Sequence, residues 1–108
     1  MDPVLVKMED REGYQRLIGG PPQTIEMKSG RVMLKPGESV GRHSTETKEE
    51  AIIVLEGKGE VSCAGKGPII VGKNSFVYIP PQTEHDVKNT GEGPLKYVFV
   101  VSQPFLRA

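Results

Sequence analysis

An all-β fold is predicted by three features of the chain. Thirteen glycines and nine prolines among 108 residues interrupt it too often for ordinary helices. The runs between them are short and rich in valine, isoleucine and aromatic residues, which suit a pleated surface. Several runs alternate apolar with polar side chains, the period of a strand with one buried face.

The elements follow in order. A first strand is expected over 4–7, where Val4, Leu5 and Val6 run together. Residues 10–17 are the one stretch suited to a helical turn. Gly19-Gly20-Pro21-Pro22 breaks the chain before strands at 24–28 and 31–35, which Ser29-Gly30 separates as a turn. Lys35-Pro36-Gly37 leads to a strand at 41–45, and the apolar run at 50–55 forms the next. Gly57-Lys58-Gly59 reads as a hairpin turn rather than a phosphate loop, since no helix pattern follows it. Strands at 59–64 and 68–71 flank Gly65-Lys66-Gly67. Two more, at 76–79 and 84–89, precede the turn Asn89-Thr90-Gly91-Glu92-Gly93 and a last strand at 95–101. No linker, repeat or low-complexity tract divides the chain, so residues 1–108 are expected to form a single domain.

Two of these strands are apolar on both faces. In 50–55, Ile52 and Val54 oppose Ala51, Ile53 and Leu55; in 95–101, Tyr97, Phe99 and Val101 oppose Val98 and Val100. One face of each needs a cover from outside the barrel interior, and a chain this short has little to spare. A homodimer is expected to supply that cover, with burial by the chain's own N-terminal strands as the alternative.

Fourteen basic residues balance fourteen acidic ones without a run of either sign. That pattern excludes an electrostatic footprint for nucleic acid or for an anionic membrane. The N-terminus lacks an apolar signal core, and no apolar run approaches membrane-spanning length, so a cytoplasmic protein is expected. Cys63 is the only cysteine and is expected to be a structural thiol.

The chemistry concentrates in two segments. In the first, Gly37 is followed after five residues by His43, then by Thr45, Glu50 and Gly57; in the second, Asn74 is followed by Pro80, Gln82, His85 and Asn89. These segments resemble the two sequence motifs of the cupin family, G-x5-H-x-H-x3,4-E-x6-G and G-x5-P-x-G-x2-H-x3-N. Thr45 stands where the first motif has its second histidine, and Asn74 and Gln82 stand where the second has glycines. Asparagine tolerates the left-handed backbone that a glycine position implies, whereas glutamine does so less readily. The resemblance covers about 31–101 and implies a double-stranded β-helix, a jelly-roll barrel of two facing sheets that is often dimeric.

Alternation orients the site residues independently. Asp86 and Lys88 share one face, so His85, Val87 and Asn89 share the other, and Glu50 lies with Ile52 and Val54. His43 and His85 are the only histidines of the chain. With Glu50 they make the two-histidine, one-carboxylate set that holds a divalent transition metal such as iron, manganese, zinc or nickel and leaves positions open. The same trio can also pair without an ion, so a metal-free barrel stays open at this point. Thr45 is too short to replace a histidine ligand and is expected beside the ligands as a hydrogen-bond partner. Tyr97, Phe99 and Gln82 are the candidates for the pocket wall. The expected ligand is a small molecule that coordinates through oxygen. Dioxygenase, isomerase and decarboxylase chemistries fit such a site, and so does binding or sensing without turnover.

Overall fold

The computed structural model describes residues 1–104. They form nine strands: β1 (Gly13–Gly19), β2 (Lys28–Leu34), β3 (His43–Ser44), β4 (Glu49–Glu56), β5 (Lys58–Cys63), β6 (Ile69–Gly72), β7 (Phe76–Ile79), β8 (Glu84–Asn89) and β9 (Leu95–Ser102). One sheet runs in the order β1-β2-β9-β4-β7 and the other in the order β3-β8-β5-β6. Every pairing is antiparallel. The all-β double-stranded β-helix is therefore present, and the core lies between the sheets. Val32, Leu34, Ile52, Val54, Val61, Val71, Val77, Ile79, Val87, Leu95 and Tyr97 fill it.

The inward residues are those that alternation selects. Glu50, Ile52 and Val54 of β4 are buried while Ala51, Ile53 and Leu55 are half-buried on the outer face; in β8, His85, Val87 and Asn89 point inward. Asn89 closes one end of the barrel. Its amide donates to the carbonyls of Leu34 and Gly93 at 2.9 Å each, and its side-chain oxygen accepts from the Gly91 amide at 2.9 Å. Gly57 follows β4 at a φ of 93°, and a side chain there would collide with the Pro94 carbonyl.

The N-terminal third departs from expectation. Residues 4–7 form no strand, and Leu5 is almost fully exposed. The helical turn expected over 10–17 is instead the edge strand β1, because pairing with β2 satisfies its backbone where an isolated turn would not. The strand expected at 24–28 contributes only Lys28; the chain before it is a loop, closed by the Thr24 hydroxyl donating to the Met27 carbonyl at 2.6 Å. Ser29-Gly30 is not a turn but the middle of β2. Gly30 is needed there for space rather than for backbone freedom: a side chain would strike the Tyr14 ring and come within 2.8 Å of the Phe99 ring.

Residues before β1 lie against the outer face of the larger sheet. Asp10 pairs with Arg31 at 3.0 Å and with Lys96 at 2.7 Å. Gln15 on β1 accepts from the Glu9 amide and donates to the Lys7 carbonyl. This covers the β1–β2–β9 part. At the β7 end, Phe76 and Tyr78 remain 68% and 55% exposed.

Candidate metal centre

Both sheets contribute to the site. On the smaller sheet His43 of β3 is the direct ladder partner of His85 of β8, which brings the two rings to a centroid distance of 4.2 Å. On the facing sheet, Glu50 at the start of β4 sits between Ile79 and Val101 and points inward. One ligand atom from each of His43, Glu50 and His85 falls within 4.8 Å of the others. The trio is graded in exposure: His85 is fully buried, Glu50 nearly so, and His43 is exposed on the side that opens to solvent.

Backbone carbonyls set the tautomers. Nδ1 of His43 lies 2.9 Å from the Gly41 carbonyl, and Nδ1 of His85 lies 3.1 Å from the Thr83 carbonyl. A carbonyl only accepts, so each Nδ1 carries its proton and each Nε2 is left for the site. Nε2 of His85 is 3.2 Å from Oε1 of Glu50. Burial presses the His85 imidazole toward its neutral form, but the hydrogen bonds to Glu50 and to Thr83 outweigh it, and its pKa is raised. Without an ion, the hydrogen bond to Glu50 favours the protonated imidazole of His85. A metal held there would take His85 and Glu50 in their deprotonated forms. This donor set, two imidazole nitrogens and one carboxylate, fits a divalent transition metal.

The remaining residues singled out in the sequence take different places. Thr45 is buried, and its hydroxyl is committed to backbone, donating to the Pro80 carbonyl and accepting from the Thr83 amide. Its link to the site runs through the Thr83 carbonyl that orients His85. Gln82 is exposed and lines a separate hollow with Cys63 and Tyr78. Tyr97 and Phe99 do line a hollow beside His43, of about 340 Å³, with Tyr14, Val32, Leu34 and Val40. Tyr97 is buried, and desolvation first, then the Glu50 and Asp86 carboxylates, pushes its phenol above the ordinary range, which keeps the hydroxyl neutral. Sequence reasoning missed Tyr14 and Val40. Tyr14 fell in the stretch assigned to a helical turn, and no local pattern places either residue at the barrel mouth. Asn74 and Gln82 both adopt left-handed backbone, with φ of 68° and 55°, so the glycine conformation of the second motif survives without the glycines.

Two facing antiparallel sheets around an inward-pointing histidine, glutamate and histidine define the class, a jelly-roll barrel with a candidate metal centre. Residues 30–101 match the cupin domain, and the chain belongs to that family. It is similar to the mannose-1-phosphate guanylyltransferase of Klebsiella pneumoniae, 29% identical over 84 residues, which are 78% of this chain but only 18% of that protein. An uncharacterised protein of Methanocaldococcus jannaschii is 28% identical over 81 residues, 75% of this chain and 64% of that one. Among solved structures, a cupin conserved-barrel protein from Salinispora arenicola superposes with a TM-score of 0.76 at 22% identity, over 94% of this chain and 90% of that one. A protein from Thermotoga maritima described as a predicted oxalate decarboxylase gives 0.70 at 21% identity, over 93% and 100%. These structural likenesses establish the fold.

Proposed function

We propose that the protein holds one divalent transition metal, of the iron, manganese, zinc or nickel type, through His43, Glu50 and His85, and takes a small molecule onto its open positions through oxygen. The observation that carries this reading is the convergence of the three ligand atoms within 4.8 Å, with both imidazoles turned so that Nε2 is available. A metal bound there supplies a Lewis acid with free coordination positions. The chain does the rest: the Gly41 and Thr83 carbonyls hold the imidazoles, the Glu50 carboxylate lies against Nε2 of His85, and the exposed His43 side admits the ligand. Dioxygenase, isomerase and decarboxylase reactions all use such a donor set. Elemental analysis of protein purified without added metal, repeated on His85→Ala, tests the reading. One metal per chain in the parent and none in the variant is the expected result; full occupancy in His85→Ala overturns the assignment.

A non-catalytic binding or sensing role is favoured by one observation. The hollow beside His43 carries no aspartate, glutamate, lysine or cysteine in its wall to move a proton. Turnover would then fall to the metal ligands or to the ligand itself.

The working unit of this reading is a homodimer. On the outer face of the larger sheet, register aligns Val98, Ile53 and Phe76 in one row and Val100, Ala51 and Tyr78 in the next. A second copy covers the end of these rows that the N-terminal residues leave open. A cytoplasmic setting suits a chain whose one thiol, Cys63, is free.

A further inference from the structure

The hollow beside His43 has a consistent chemistry. Its wall is Gly13, Tyr14, Val32, Leu34, Val40, Tyr97 and Phe99, with no charged side chain among them. Two aromatic rings shape it: Tyr14 and Phe99 stack with centroids 6.1 Å apart and planes inclined by 15°. Gly30 lies beneath both rings, and its missing side chain gives them their space. Tyr97 is 3% exposed as a residue and lines the hollow, and no side-chain hydrogen bond among the described residues engages its hydroxyl. A hydroxyl in a pocket wall with no partner among the described residues is a group placed for a ligand.

A second carboxylate or a phosphate on the ligand would find no cation in this wall and would lose its hydration without compensation. A flat apolar body would instead displace water from aliphatic and aromatic surface. We infer that the site selects a small ligand with two parts, an oxygen-chelating head beside His43 and an uncharged aromatic or similarly flat apolar body against Tyr14 and Phe99. The head accepts a hydrogen bond from Tyr97. Charged-tail ligands, dicarboxylates and sugar phosphates among them, are excluded by the same wall. The head's place rests on the metal reading above; the body's place rests on the wall alone.

Three probes with one α-hydroxycarboxylate head separate the contribution of the tail: mandelate carries a phenyl group, glycolate a hydrogen and malate a second carboxylate. Calorimetric titration of the manganese-loaded protein is expected to show mandelate binding at least about tenfold more tightly than either of the others. Tyr14→Ala, at an exposed position that supplies no metal ligand, is expected to remove most of that advantage while manganese affinity stays unchanged. Malate or glycolate binding as tightly as mandelate overturns the inference and leaves the metal reading intact, and so does a mandelate advantage that survives Tyr14→Ala. If the parent binds no manganese, the metal reading fails instead. The wall is then judged in the metal-free protein, where mandelate must shift the ring resonances of Tyr14 and Phe99, and unmoved rings overturn the inference.

Discussion

The hydroxyl of Thr45 donates to the carbonyl of Pro80 at 2.7 Å. The same oxygen accepts from the Thr83 amide at 3.1 Å, and the Thr45 amide donates to the Thr83 carbonyl at 3.2 Å. Residue 45 therefore latches the turn before β8, and the Thr83 carbonyl in that turn holds Nδ1 of His85. Thr45→Val keeps the shape and removes the latch. Stability is expected to fall by about 1–3 kcal/mol, the cost of leaving partly buried polar groups unpaired. Metal affinity should fall about tenfold or more, as when outer hydrogen-bond partners of ligands are lost. Thr45→Ser should retain both properties, and urea denaturation beside metal titration checks the pair.

The two histidines should part company in stability although both are assigned to the metal. His85→Ala leaves the Glu50 carboxylate buried without its partner, and about 3 kcal/mol or more of stability is expected to go. His43 is exposed, so His43→Ala should change metal-free stability by no more than about 0.5 kcal/mol while still abolishing stoichiometric metal binding. Equal losses of stability in denaturant titrations would contradict the graded burial of the site.

Gln82 holds a left-handed backbone at φ 55°, with its amide donating to the Glu46 carbonyl at 2.7 Å. Glycine adopts that conformation without steric cost but loses more freedom on folding. Gln82→Gly is expected to stabilise the protein by about 0.5–1 kcal/mol, the net of those two effects. Thermal unfolding reads the sign directly.

Acid should release the N-terminal residues from the sheet. The Lys96 ammonium, hydrogen-bonded to Asp10, and then the Arg31 guanidinium hold the Asp10 carboxyl below its usual range. A depressed carboxyl contributes fully above its unfolded pKa, about 3.9, and its contribution is lost as pH falls through the lower folded value. Amide resonances of residues 4–9 are thus expected at their docked positions near neutrality and to move toward random-coil values in strong acid. Asp10→Asn should show the released positions already at neutral pH.

The exposed β7 edge of the larger sheet predicts the assembly state. Light scattering at micromolar concentration should report a dimer, and Phe76→Glu, which puts a charge into the apolar row, should give a folded monomer. A monomeric parent would reject the interface.

Strand faces and the candidate ligand set were legible in the residues because both depend on local order. Alternation along 50–55 and 84–89 puts Glu50 and His85 inward whatever the rest of the chain does, and the spacing of His43, Glu50 and His85 carries the family pattern. The N-terminal third was not legible, since its conformation is imposed from a distance. Residues 13–19 become a strand because β2 offers them a partner, and Ser29-Gly30 stays extended because two rings need the space above Gly30. The same holds for Thr45, whose hydroxyl finds Pro80 and Thr83 across 35 and 38 residues of chain. Local preference is worth a fraction of a kilocalorie per residue, and long-range pairing and packing override it wherever the two disagree.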